Sequence, residues 1–234
     1  MALGTALTAA TTVSTTAGLQ TISLSSGGIS AVQDLIDSDG SLTAFLMSFK
    51  YDYVGNEPTS GGDYTRIRVY YTEYVSTGRD PRLVVTFDTG ASAILFAEGS
   101  GNDDDGYLGN VNVDDTVNWT TLRGDVDTVG SLRNVTLNNS LSGVYAYHAP
   151  GRGSDIIRNI TRSMFVFDLS AISGTVTGSS FQLYLDNWGS TGDAAKVIAV
   201  QGTALAGSTA DYGNCFVADA VTAADNATFF GANF

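Results

Sequence analysis

The stretch Ser163-Met164-Phe165-Val166-Phe167-Asp168-Leu169-Ser170 decides the fold, together with the run Phe181-Gln182-Leu183-Tyr184-Leu185 that follows it. Both stretches are typical of strands that open a β-sandwich domain. The run Arg82-Leu83-Val84-Val85-Thr86-Phe87 is typical of a strand that closes such a domain, yet it lies barely a third of the way along the chain. We therefore expect one sandwich whose back half comes first in the sequence.

Alternation elsewhere in the chain predicts antiparallel sheets. The residues that share one apolar face of a predicted strand are Phe45, Met47, Phe49 and Tyr51, then Ile67, Val69 and Tyr71, then Leu83, Val85 and Phe87. This period of two is typical of antiparallel sheets that cover a core on one side. The helical spacing of Ile29, Val32, Leu35 and Ile36 predicts one short helix over residues 29–37. The predicted fold class is all-β: an antiparallel, jelly-roll-like β-sandwich with one short helix, assembled from two half-domains.

These patterns divide the chain into three segments. Residues 1–87 form the C-terminal type of half-domain, and residues 106–234 form the N-terminal type. Residues 88–105 are the linker or seam between them. The acidic stretch from Gly99 to Asp105 is the sharpest linker signal in the chain.

Composition limits the kinds of partner. A chain of 234 residues is long enough to bury one substantial core. A net charge of -13 and a pI near 4.1 argue against nucleic acid, because phosphate contacts need clustered Lys and Arg. The chain contains nothing close to a membrane span, and its N-terminus lacks the features of a secretory signal. We expect neither nucleic acid nor a membrane as a partner.

The opening strands carry a family resemblance. Arg162-Ser163-Met164-Phe165-Val166-Phe167-Asp168-Leu169-Ser170-Ala171-Ile172, then Val176-Thr177 and the run 181–185, resemble the core of DNRLRE-type β-sandwich domains. Asp105-Gly106-Tyr107 with Trp119-Thr120-Thr121-Leu122-Arg123 resembles the opening of the phage versions, and Asp211-Tyr212 with Phe229-Phe230-Gly231 resembles their middle. Such domains are similar to carbohydrate-binding modules and occur in secreted bacterial proteins and phage virion proteins.

The first 87 residues resemble the remaining half of the same domain. Leu19-Gln20-Thr21-Ile22-Ser23-Leu24, then Thr43-Ala44-Phe45, then Asp80-Pro81 with the run 82–87 follow the closing order of the family. The halves must meet, because each alone would leave an apolar face and unpaired strand edges exposed. The strands expected to join them carry Phe165, Phe167, Leu83, Val85 and Phe87. They meet either within one chain, as a closed permuted sandwich, or between chains, as a ring or filament.

Two ligand sites are suggested by residue type. Asp103, Asp104 and Asp105 offer oxygen ligands for Ca²⁺, the one candidate cofactor, although a solvated acidic loop explains the same residues and the spacing of a helix-loop-helix site is missing. Trp188, in the turn Asp186-Asn187-Trp188-Gly189, and Tyr184 are candidates for contact with sugar rings.

Catalysis has little support in the sequence. His148 is the only histidine and Cys215 the only cysteine, so a Ser-His-Asp or Cys-His mechanism is not indicated. We interpret His148 as a satisfied loop imidazole and Cys215 as a small buried apolar residue. Four arginines, Arg66, Arg68, Arg158 and Arg162, are predicted on the outward faces of strands, where ion pairs with acids contribute little.

The expected function is structural rather than enzymatic. We expect a self-associating virion component of a tailed phage, either a capsid decoration protein or a fibre subunit, located in the virion or outside the cell. Its partners would be copies of itself, other virion or filament subunits and surface glycans. The alternatives are a filament or tubule subunit polymerised by head-to-tail half-domain complementation and a carbohydrate-binding module.

Overall fold

The computed structural model describes residues 6–14, 16–59, 61, 64–71, 77–97, 105–112, 118–124, 131–137, 141–150, 156–187, 189–190 and 192–202. The strands in this part are β1 Thr11–Thr12, β2 Gly18–Ser23, β3 Ser41–Ser48, β4 Thr65–Tyr70, β5 Arg82–Phe87, β6 Ser92–Phe96, β7 Asp105–Asn112, β8 Ser131–Leu137, β9 Leu141–Pro150, β10 Ile156–Asp168, β11 Val176–Asn187 and β12 Lys196–Gln201. The helices are α1 Ser26–Asp37 and α2 Trp119–Gly124, with a π-helical turn Phe49–Tyr53 and short 3-10 turns Thr77–Arg79 and Gly192–Ala195. The predicted all-β, antiparallel fold is confirmed, and α2 is a second short helix beside the predicted one.

The strands form two layers that β10 joins. The first layer runs β1-β12-β3-β10-β7-β8, and every pair in it is antiparallel. In the second layer β11 has β2 along one edge and both β5 and β4 along the other, with β6 beyond β5 and β9 beyond β4. The first half of β10 pairs with β9 and its second half with β3, so this strand passes from one layer to the other.

The main core lies between the two layers. Phe165 and Phe167 of the first layer contact Tyr71 and Phe181 of the second, with ring centroids 5.6 and 5.8 Å apart. Leu83 and the four rings are buried. Apolar side chains at alternate positions of both layers therefore stabilise the fold, because packing the layers together removes their apolar surface from water.

The helix α1 closes one end of this core. Ser25 caps it by accepting a hydrogen bond from the backbone N–H of Gly28 at 3.1 Å. Val32 and Ile36, one helical turn apart, are buried against the sheets. The chain then leaves the helix at Ser38 and turns into β3 through Asp39, whose φ is 52°.

Strand pairing crosses the predicted seam throughout the sandwich. Among the described residues, no strand from β1 to β5 pairs with another member of that set. Instead β1, β2, β3, β4 and β5 pair with β12, β11, β10 or β9 of the later segment. The two segments thus complete one sandwich within a single chain. The predicted linker contains strand β6, which pairs with β5, while residues 98–104 lie outside the described part.

A smaller second core contains a buried ion pair. Arg162 donates to both carboxylate oxygens of Asp52, at 2.7 and 2.8 Å, and both side chains are at most 2 % exposed. Arg158 is also buried, and its Nε lies 2.8 Å from Glu57 Oε1. The outward orientation predicted for Arg158 and Arg162 is therefore wrong, because α2 and the Phe49–Tyr53 turn cover this side of β10. No described helix is long and apolar enough to cross a membrane.

Candidate functional site

The outward surface of the second layer, on the side away from the main core, carries exposed apolar side chains together with several tyrosines and arginines. Strand alternation places Ile22, Leu83 and Phe181 toward the core and their sequence neighbours on the opposite face. We name this outward surface the tyrosine–arginine face. Its residues are Leu19, Thr21, Arg66, Arg68, Tyr70, Arg79, Arg82, Val84, Ile94, Phe96, Tyr145, Tyr147, Gln182, Tyr184 and Asp186.

Exposed apolar side chains are concentrated on this face. The large hydrophobic residues that are exposed in the described part are Leu19, Ile94 and Phe96, at 45, 55 and 49 %. The register places Phe96 beside Arg82, Ile94 beside Val84 and Leu19 beside Tyr184. Exposed apolar groups collected on one face mark an interaction surface more often than groups scattered singly.

Arg79 organises the aromatic centre of the face. Its guanidinium carbon lies 4.7 Å from the ring centroids of both Tyr70 and Tyr184. The two rings meet edge to face, with centroids 5.3 Å apart. Both arrangements are attractive, and they favour one geometry for these three long side chains.

Arginines are also concentrated on this face. The chain has nine arginines, since two of its eleven basic residues are lysines, and four of the nine lie here. Arg68 forms an ion pair with Asp186 that leaves the arginine 35 % exposed. Arg82 Nε has no hydrogen-bond partner among the described residues. The face thus gathers four of the nine arginines of a protein whose net charge is -13.

Tyr145 lies beside this basic group. Burial raises the pKa of its phenol, against the opposing effect of the Arg66 and Arg68 charges. The phenol is therefore neutral at physiological pH and keeps its proton as a hydrogen-bond donor.

A cavity of about 260 Å³ opens at one end of the face. It is lined by Gly61, Tyr64, Arg66, Tyr147, His148 and Ala149. His148 lies on β9 rather than in the loop predicted for it, and its Nδ1 donates to the carbonyl of Pro58 at 2.9 Å. Its Nε2 is buried without a partner in the described part, which contradicts the prediction of a satisfied imidazole.

The structure describes only some of the residues predicted for ligand binding. Tyr184 lies on the face, whereas Trp188 is outside the described residues. Asp103 and Asp104 are also outside them, and the backbone of Asp105 begins β7 opposite Phe165. In the described ranges no three His, Cys, Asp or Glu side chains converge on a metal position, and Cys215 lies outside those ranges.

The strands predicted for assembly lie inside the sandwich. Phe165 and Phe167 are buried opposite Ala44 and Leu42. Leu83 and Val85 are buried on β5, and Phe87 is half-buried. These residues therefore join the two segments of one chain.

Sequence reasoning missed the tyrosine–arginine face as a unit. Apart from Arg79, which lies in the turn Thr77–Arg79, its members come from β2, β4, β5, β6, β9 and β11, which are brought together mainly by long-range pairing. One feature of the sequence could have indicated the face: this acidic chain has nine arginines but only two lysines. Comparison of the chain with models of protein families, with curated proteins and with solved structures finds no match.

Proposed function

We propose that this protein is a non-enzymatic structural protein that associates with copies of itself through the tyrosine–arginine face. In this proposal it serves a tailed phage as a virion component, either a capsid decoration protein or a fibre subunit. The phage setting is supported by the resemblance of residues 162–185 to DNRLRE-type domains of virion proteins. The self-association is supported by the exposed side chains of Leu19, Ile94 and Phe96, which share one sheet face.

The composition of the face supports a protein partner. Protein interfaces are enriched in Tyr, Phe and Arg and depleted in Lys, Glu and Asp. Tyr and Arg also dominate the residues that carry most of the binding energy. The cluster of Arg79, Tyr70 and Tyr184 has this composition, and Ile94 and Phe96 add apolar area beside it.

The first test is the concentration dependence of assembly. We expect the wild-type protein to form species larger than one chain, and Phe96→Asp to weaken association by about 30-fold or more, since a buried anchor contributes at least ~2 kcal/mol. Sedimentation velocity over a wide range of concentrations measures this. The control is Ala9→Asp, which places the same charge at an exposed position near the opposite layer. A wild-type protein that stays monomeric at every concentration argues against self-association.

The cavity supports carbohydrate binding as a second candidate function. Tyr64, Tyr147 and Arg66 are among the residues that line it. Aromatic rings with a few polar groups are typical of small-molecule sites. On this hypothesis Tyr147→Ala abolishes retention on a glycan array, and Phe96→Asp leaves it unchanged. Glycan retention that survives Tyr147→Ala excludes the cavity as the site.

A further inference from the structure

Strand β6 is the last strand at one edge of the second layer. In the described part of the chain it pairs with β5 alone. The carbonyl of Ala91 accepts a hydrogen bond from the N–H of Phe87 at 2.9 Å, and the N–H of Ala97 donates to the carbonyl of Pro81 at 2.9 Å. Because hydrogen-bonded positions alternate along an antiparallel pair, the odd-numbered residues of β6 bond to β5. The backbone groups of the alternate residues therefore point away from β5, and these residues are Ser92, Ile94 and Phe96.

The outward edge of β6 is open to another chain. No described residue forms a backbone hydrogen bond with Ser92, Ile94 or Phe96 on this side. All three residues are exposed, Ile94 at 55 % and Phe96 at 49 %. Open edges template pairing with other strands, and natural proteins usually protect them with Lys, Pro or a bulge. Strand β6 has the sequence Ser-Ala-Ile-Leu-Phe and a regular register with β5, so it carries none of these protections.

The edge of β6 is complementary to a second copy of itself. In an antiparallel pair centred on Ile94, this residue faces its own equivalent, and Ser92 of each copy faces Phe96 of the other. Each of these residue pairs exchanges two hydrogen bonds, so every outward N–H and C=O of the three residues finds a partner. Strand alternation keeps their side chains on the outward face of both copies. Val84, which lies beside Ile94 on β5, extends the apolar contact on each side.

We propose that two copies of this protein pair edge to edge through β6, in the antiparallel register centred on Ile94. This inference rests on the proposed self-association and names its geometry. Ile94 and Phe96 belong to the tyrosine–arginine face, so the contact is continuous with the surface already proposed. A strand without charged residues suits a second copy, because no like charges are placed opposite each other. The pair has a two-fold axis, and it joins the second layers of the two copies into one continuous sheet.

A lysine at the centre of the contact tests the pairing. Ile94→Lys places two ammonium groups opposite each other, and we expect it to lower the association constant by about tenfold or more. Leu19→Lys is the matched control, because it makes the same kind of change at an exposed apolar residue of the same face, on β2 instead of β6. We expect the control to associate like the wild type in sedimentation velocity. Near-UV circular dichroism confirms that both variants are folded.

A cross-linking experiment tests the register. The Cα atoms of a hydrogen-bonded antiparallel pair lie about 5.5 Å apart, within the range of roughly 4.4–6.8 Å that disulfides span. In a Cys215→Ser background, Ile94→Cys is therefore expected to form a disulfide-linked dimer with oxidised glutathione, which non-reducing electrophoresis detects. Ser92→Cys in the same background is the control. Its two thiols would be separated by about 14 Å along the paired strands, so we expect no cross-link.

The outcomes separate this inference from the proposed function. A loss of association in Leu19→Lys as large as in Ile94→Lys overturns the edge pairing and indicates a contact across the whole face. Assembly that persists in both lysine variants also overturns the edge pairing and leaves self-association intact. A disulfide that forms equally in both cysteine variants, or in neither, overturns the register centred on Ile94. A wild-type protein without assembly contradicts the proposed function and this inference together.

Discussion

A chain cleaved between residues 98 and 104 is expected to give two fragments that do not fold alone and that recover the native structure when mixed. Fragment 1–97 would keep only the β5–β6 pair, because every other described strand in it pairs with the later segment. Fragment 105–234 would keep the pairs among β7, β8, β9 and β10 but would expose Phe165, Phe167 and Phe181. An isolated hairpin is at best marginally stable in water.

Near-UV circular dichroism of each fragment and of an equimolar mixture measures this complementation. The control is fragment 1–97 with Leu42→Asp, which places a charge in the core opposite Phe167 and is expected to prevent recovery. A cooperative thermal transition in either isolated fragment would show that the two segments are independent domains.

Much of the fold was predictable because strand alternation is a local property. Ile67, Val69, Leu83 and Val85 all point into the core, as the period of two predicts. The helix was also predictable, since Val32 and Ile36 share its buried side. Each of these patterns depends only on neighbours within one strand or helix.

The end of β3 shows where local alternation fails. The sequence predicted a strand that continued through Phe49 to Tyr51, yet β3 ends at Ser48 and the chain coils into the turn Phe49–Tyr53. Residues 42–48 are buried on both faces, so the expected polar face is not exposed there. The cause is tertiary: Leu42, Ala44 and Leu46, on the side where a solvated face was expected, pack in the main core, and Phe45 and Met47 on the other side are buried as well.

The candidate site was less predictable than the fold for the same reason. Phe96 and Tyr184 are separated by 88 positions in the sequence, and they share a face only because β5 lies between β6 and β11. Arg162 and Asp52 are 110 residues apart, and no motif connects them. Of the residues on the tyrosine–arginine face, Tyr184 is the one that the sequence selects as a binding residue, on its aromatic character alone.

Replacing Asp52 with asparagine is expected to destabilise the protein by about 3–5 kcal/mol, because it leaves buried arginines without their counter-charge. Arg162 donates to both oxygens of the carboxylate and also to the carbonyl of Arg123 at 2.8 Å. Arg123, 1 % exposed, donates through Nε to the carbonyl of Asp52 at 2.9 Å. At Gly55, with φ 97°, a Cβ would lie 2.0 Å from Arg123 Nη1. A residue without a side chain is therefore needed where the backbone passes this cluster.

The same cluster joins the two segments of the chain, which makes its loss a test of the fold as well as of the ion pair. Asp52 belongs to the first segment, and Arg123 and Arg162 belong to the second. Urea unfolding measures the effect, and Arg68→Met is the matched control, since its partly exposed pair with Asp186 contributes less than ~1 kcal/mol. The double variant Asp52→Asn/Arg162→Met should lose less than the sum of the single changes, because removing one partner already breaks the pair. Two results would contradict a buried ion pair: losses of unfolding free energy that simply add in the double variant, or an Asp52→Asn variant that is as stable as Arg68→Met.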